Sequence, residues 1–152
     1  MPASSEWHRG AFRINTDIDE RAIDTIHAFL TTSYWAEGIP RDIVARAVGG
    51  SLSFGLFHGD DLVGFARVVT DRATYGYLAD VFVLEPYRGQ KLSRWLLEVI
   101  FAHPDLQGFR RWSLSTRDAH ELYAKFGFTS SAPGYNMDRR DPDIYKRSLS
   151  RN

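Results

Sequence analysis

Between Glu85 and Leu97 the chain reads EPYRGQKLSRWLL: a proline, a basic loop through Arg88-Gly89-Gln90-Lys91, and then apolar residues at helical spacing. A strand-like run, YLADVFVL (77–84), leads straight into it. This order can bind phosphate. The first turn of a helix leaves N–H groups unpaired and carries partial positive charge. A loop whose successive N–H groups point inward strengthens such a site. Gly89 lets the backbone come close, while Arg88, Lys91 and Arg94 supply charge. The same residues also describe an ordinary strand-to-helix turn with solvated basic side chains, and the stretch alone does not separate the two. It lacks both the Gly-Lys-Ser/Thr spacing of a P-loop and the dinucleotide fingerprint.

Other residues draw attention by being out of place. Asp80 is an acid in an apolar strand, which is costly unless it is paired or used; Arg67 on the neighbouring run is the partner at hand. Tyr34 and Trp35 sit in SYWAEGIP (33–40), a break between helical patterns, where aromatics suit a binding wall or a cover for the core. Tyr75 and Tyr77 are candidates to extend that wall. LYAKFGF (122–128) places Tyr123 on a short helix that ends in Gly-Phe. The chain has no cysteine, which excludes disulfides, thiolate zinc sites and a cysteine nucleophile. Its five histidines show no metal-ligand spacing, and GGSLSFG (49–55) fails the nucleophile-elbow pattern.

The elements that must position these groups follow from periodicity. AFRIN (11–15) alternates as a strand. Asp17 or Asp19 can cap a helix carrying Ile18, Ala22, Ile23, Ile26 and Phe29 through about Leu30. A second helix begins near Pro40, with Ile43, Val44 and Val48 on its apolar face, and stops at Gly49-Gly50. Three strands in series, SLSFGLFH, DLVGFARVVT and ATYGYLADVFVL, make an antiparallel meander around the turn residues His58-Gly59-Asp60 and Asp71-Arg72. Leu92, Trp95, Leu96, Val99 and Ile100 mark a long amphipathic helix. RRWSLST (110–116) is a strand, and DAHELYAKFG (118–127) a short helix with Asp118 near its start. One or two strands are possible after Gly127. The helix between the fourth and fifth strands requires a right-handed crossover and parallel pairing. The fold class is α+β, with a mixed, mostly antiparallel central sheet flanked by helices.

At 152 residues, 43% hydrophobic and 25% charged, the sequence has the size and composition of one globular domain, residues 1–152, with its core at about 11–138 and peripheral, frayed ends. Zero net charge argues against a general nucleic-acid or anionic-membrane partner. The N-terminus lacks the apolar core of a signal peptide, and no apolar run approaches the roughly 20 residues of a membrane helix. A soluble, cytoplasmic protein is the expectation.

Two motifs together carry a family resemblance. Val83, Pro86, Tyr87, Arg88 and Gly89 are similar to the Val-x-x-Pro-x-x-Arg-Gly-x-Gly pattern that follows the fourth strand of the GCN5-related N-acetyltransferase (GNAT) superfamily, with one residue fewer between the proline and the arginine. Ala119, Leu122, Tyr123, Lys125, Gly127 and Phe128 resemble that family's Asn-x-x-Ala-x-x-x-Tyr-x-Lys-x-Gly-Phe pattern, and the element order agrees over roughly residues 11–138. Three positions depart from it: Lys91 stands for a glycine, Ser93 for Gly or Ala, and Thr116 for the common Asn. If the Lys91 position demands positive φ, it costs roughly 1 kcal/mol. Otherwise its side chain turns outward, or itself reaches a phosphate of the coenzyme.

The resemblance implies the GNAT (acyl-CoA N-acyltransferase) fold and transfer of an acetyl group from acetyl-CoA to an amine, by direct attack in a ternary complex and without metal. It implies a coenzyme site made of Phe82, Val83, Arg88, Gly89, Gln90, Lys91, Leu92, Ser93, Arg94, Thr116, Ala119 and Tyr123. Tyr123 would protonate the leaving sulfur, and a backbone N–H near Phe82 or Val83 would meet the carbonyl oxygen. Asp80, His120 or a relayed water would take the amine proton. Tyr34, Trp35, Tyr77 and Arg67, the last as a carboxylate binder, would hold a small-molecule amine, an amino acid or a peptide; a homodimer is possible. The other readings are a non-catalytic acyl-CoA sensor on this fold and an interaction module with a vestigial pocket.

Overall fold

The computed structural model describes residues 5–150, in which the alternating and apolar runs become six strands. These are β1 (Glu6–Arg9), β2 (Phe12–Asn15), β3 (Leu52–His58), β4 (Asp61–Thr70), β5 (Tyr75–Val83) and β6 (Arg111–Ser113). They lie in chain order across one sheet, antiparallel from β1 to β5 and parallel between β5 and β6. The helices are α1 (Glu20–Leu30), α2 (Arg41–Gly49), α3 (Leu92–Ala102), α4 (His120–Ala124) and α5 (Ile144–Ser150).

Each face of the sheet has its own core. Ile23, Ile26 and Leu30 of α1 and Val44 and Val48 of α2 bury Phe65 and Phe82 on one face. Leu96, Leu97 and Ile100 of α3 bury Phe54, Ala66, Val68 and Leu78 on the other. Each such side chain removed from water contributes about 1.5–3 kcal/mol, which is what holds short helices to the sheet. Of the two cap candidates, Asp19 is the one used, accepting from the Ala22 N–H at 2.9 Å. Pro40 stands one place before the expected first turn, as the N-cap of α2.

Two irregularities shape the functional end. Phe65 pairs with Phe82 and Arg67 with Ala79, so Ala66 of β4 faces two residues of β5, Asp80 and Val81. This is a β-bulge, and it bends β5. The parallel ladder of β5 with β6 runs only through Tyr75–Arg111, Gly76–Trp112 and Tyr77–Ser113. Beyond Tyr77, β5 continues to Val83 with no strand beside it on that edge among the described residues, and a cleft opens between the two strands.

Three expectations need correction. Residues 5–10 are not frayed: β1 pairs with β2 over Glu6–Asn15 to Arg9–Phe12. Residues 1–4 and 151–152 lie outside the described residues. No strand follows Gly127 among the described residues; α5 comes instead, and its Tyr145 packs on the α1–α2 core. Finally, the strand expected over 110–116 is confined to Arg111–Ser113. Among the described residues no helix is long and apolar enough to cross a membrane.

Candidate functional site

The bulge puts Asp80 at φ +54, a left-handed conformation that Asp tolerates better than most side chains. The carboxylate is fixed on both oxygens. Arg67 Nε donates to Oδ2 at 2.6 Å, and Trp35 Nε1 donates to Oδ1 at 2.8 Å. Arg67 in turn donates from Nη1 to Ser51 Oγ at 3.1 Å. The Arg67 and Asp80 side chains are only 19% and 11% exposed, so neither charge could stand here alone. The Asp80–Arg67 pairing read from sequence is therefore present, and Arg67's guanidinium is committed to it.

At the end of β5 the chain makes a short 3₁₀ turn, Glu85–Tyr87, and Arg88 Nε donates back to the Val83 carbonyl at 2.8 Å. That bond closes the loop against the strand. Gly89 at φ +84 and Lys91 at φ +60 then turn the backbone into α3. Lys91 is the N-cap of α3 and makes no side-chain cap bond. Among the described residues, the backbone N–H groups from Gly89 through Arg94 find no acceptor. A run of unpaired donors at the head of an 11-residue helix, beside the open end of β5, has the form of a cradle that can receive an anion. Arg88, Lys91 and Arg94 surround it with exposed positive charge. Lys91 thus occupies the strained conformation that a glycine would relieve, at a cost of about 1–2 kcal/mol. The Gln90 side chain folds onto the Tyr87 carbonyl at 3.4 Å, Leu92 is buried in the core, and Ser93 is half-buried.

On the far side of the cleft, β6 leads to α4. Thr116 Oγ1 accepts from the Ala119 N–H at 3.0 Å and so fixes the turn that leads into α4. Tyr123 is 8% exposed, edge-on to Phe128 at 6.1 Å between centroids. Its hydroxyl makes no hydrogen bond among the described residues. Burial pushes the phenol up to about 12, with smaller contributions from Tyr34 and Asp118. At neutral pH it is a protonated donor without a protein acceptor.

The α1–α2 connection supplies the wall opposite. Tyr34 and Trp35 are both exposed and meet edge-to-face at 5.1 Å. Trp35 also packs toward Phe29, which stacks on Phe82 at 4.0 Å. The structure thus brings Tyr34, Trp35, Arg67 and Asp80 into one contact group, with Phe82 behind Trp35 through Phe29 and Tyr123 near Tyr34. Tyr75 is not part of it: its ring faces Arg111 at the closed end of the β5–β6 ladder. Tyr77 is on the last rung of that ladder, and His120 is exposed on α4. Sequence reasoning missed Arg117, whose guanidinium lies over the Tyr34 ring at 3.9 Å, and Ser51 behind Arg67. No pattern in the sequence announces either contact. Among the described residues no group of three or more His, Asp or Glu could hold a metal ion.

Comparison with known proteins agrees with this fold. The model of the Acetyltransferase (GNAT) family matches residues 14–128. An inferred GNAT-family acetyltransferase from Xanthomonas campestris, solved as a crystal structure, is 46% identical, with a TM-score of 0.83 over 88% of this chain and 96% of that one. An inferred acetyltransferase of Gibberella zeae is 31% identical over 142 residues, 78% of this chain and 79% of its own. A Clostridium acetobutylicum protein solved with acetyl-CoA shares the fold at 14% identity, with a TM-score of 0.61 over 84% of this chain. The family match over residues 14–128 and the 46% identity to the Xanthomonas campestris protein show that the chain belongs to the GNAT acetyltransferase family.

Proposed function

We propose that this protein transfers the acetyl group of acetyl-CoA to a primary amine of a small molecule, an amino acid or a peptide, by direct attack in a ternary complex. The observation that carries this reading is the run of unpaired N–H groups from Gly89 to Arg94 at the mouth of the β5–β6 cleft. That donor set fits a pyrophosphate, and the unpaired edge of β5 beyond Tyr77 fits an extended arm that can pair with it. Acetyl-CoA, when bound, supplies the activated thioester. The solved Clostridium acetobutylicum relative with acetyl-CoA supports the assignment.

In this reading the chain does three jobs. A backbone N–H of Phe82 or Val83 meets the carbonyl oxygen as charge develops on it. Tyr123, protonated at neutral pH, donates to the departing sulfur. Asp80, reached directly or through water, receives the proton the amine must lose, with His120 as the other basic group of the region. Tyr34, Trp35 and Tyr77 wall the acceptor side. Arg67 holds Asp80 in place and is not free to bind a substrate carboxylate.

A thiol-release assay with acetyl-CoA and a panel of primary amines tests this, paired with calorimetry on the coenzyme alone. Amine-dependent thiol release is expected. Binding without release for any amine would support the acyl-CoA sensor instead, and absence of binding at millimolar acetyl-CoA would overturn both.

A further inference from the structure

Behind the cradle lies a second feature that the acetyl-transfer scheme does not use. Between β1 and α3 is a groove of about 540 Å³ lined by His8, Arg9, Lys91, Arg94, Trp95 and Glu98. Its cations come from two elements distant in sequence. Arg94 is paired with Glu98 at 3.2 Å, and His8 lies 3.4 Å from Glu6. Arg9 and Lys91 have no carboxylate partner among the described residues, and Arg9 lies over the Trp95 ring at 5.9 Å. Two unpaired cations facing one concave surface repel each other unless an anion joins them.

We propose that this groove holds the 3′-phosphate of the coenzyme, with Arg9 of β1 as its principal counter-charge. The inference rests on reading the Gly89–Arg94 cradle as the pyrophosphate site. Lys91 is the link: its backbone belongs to the cradle and its side chain lines the groove. Trp95 is four residues further along α3, about 6 Å by helical rise, so the groove begins within one ribose of the cradle. The 3′-phosphate is the coenzyme's second concentrated charge and needs cations of its own. Glu98, on the groove wall, opposes it and sets the direction of one test.

The experiment is calorimetric titration with CoA and with 3′-dephospho-CoA. The native protein is expected to prefer CoA about tenfold, the size of one charge-assisted contact. Arg9→Ala removes most of that preference and leaves the dephospho-CoA Kd within twofold. Arg9→Lys retains it, and Glu98→Gln enlarges it. Arg9 is exposed at the last position of β1, so a melt of each variant serves as the folding control. Equal affinity of the native protein for both ligands, or an Arg9→Ala loss that falls equally on both, overturns the proposal. If neither ligand binds, the cradle itself is misread, and that failure is distinguishable from the first two.

Discussion

The strain at Lys91 can be measured by removing the side chain in two ways. Lys91→Ala and Lys91→Gly both delete the ammonium group, and neither ion pair nor cap bond is lost, since among the described residues the native side chain makes none. Only the glycine relieves the backbone, which sits at φ +60, ψ +27. An L-residue pays about 1–2 kcal/mol for that conformation. Glycine gives back about 0.5–1 kcal/mol through its freer unfolded chain. The balance is a gain of roughly 0.5–1 kcal/mol for Lys91→Gly and nearly none for Lys91→Ala. At about 2–4 °C per kcal/mol for a chain this long, the glycine variant should melt about 1–4 °C above the alanine variant. Differential scanning calorimetry of the two side by side, with urea midpoints as a check, decides it. Equal melting temperatures, or a glycine variant that melts lower, would refute the argument that this position is strained. Coenzyme affinity supplies an independent reading: both variants should lose the same amount, because both lose the same charge.

Tyr123→Phe should lower turnover at least tenfold with coenzyme binding nearly unchanged and stability within about 0.5 kcal/mol, because the hydroxyl has no hydrogen bond to lose; steady-state kinetics with an unchanged rate would remove it from its role. Burial raises the Tyr123 phenol to about 12, so the folded state binds its proton more tightly than the unfolded state does. Stability relative to Tyr123→Phe is therefore level below about pH 10 and falls by up to about 2–3 kcal/mol as pH rises toward 12. Urea melts of the native protein and Tyr123→Phe across that window should show the difference, and parallel curves would contradict it. Arg67→Leu strands a nearly buried carboxylate held only by Trp35 and should cost about 3 kcal/mol. Adding Asp80→Asn should recover part of that loss in a double-mutant cycle, whereas additive losses would show that the pair is not coupled. His103 is 7% exposed between the rings of Trp7 and Phe54, and desolvation lowers its pKa. Its stabilising contribution is therefore complete above about pH 6.5 and diminishes as pH falls below it. His103→Gln should flatten the stability profile between pH 7.5 and 5; an unaltered slope in chemical-denaturation midpoints would assign the acid sensitivity elsewhere.

What could be read from the sequence was whatever has a period. Ile23, Ile26 and Leu30 announced α1, the meander announced itself by alternation, and EPYRGQK before Leu92 offered a cradle as one of two readings. β1 was invisible because EWHR buries little: Trp7 packs toward Phe54 at 6.2 Å, and the rest of the strand faces water. The strands anticipated after Gly127 fail for a related reason. TSSAPGYNMDRRDPD (129–143) is rich in Pro, Gly, Ser and Asp, which favour turns over ladder pairing, and the described segment is exposed throughout. The Trp35–Asp80 bond joins residues 45 apart in the chain, a separation over which no local pattern operates.

The backbone strain is the least legible part of the site and the most informative. Among the described residues three non-glycine residues have positive φ: Arg72, Asp80 and Lys91. Arg72 is in the β4–β5 turn, where its backbone N–H donates to Thr70 Oγ1 at 2.8 Å and a left-handed residue is unremarkable. The other two flank the cleft. Asp80 bends β5 at the bulge, and Lys91 turns the loop so that its N–H groups converge. Each costs on the order of 1–2 kcal/mol that no local contact requires, since Lys91 makes no cap bond and a straight β5 would pair more fully with β4. Strain of this kind persists where the surrounding structure holds it. Here the Arg67–Asp80–Trp35 contacts hold the first, and the Arg88–Val83 bond together with buried Leu92 holds the second. A lysine in place of the expected glycine therefore leaves the left-handed backbone of this turn intact. The cradle keeps the backbone geometry at the expense of stability, and the side chain that imposes this cost points a charge into the adjoining groove.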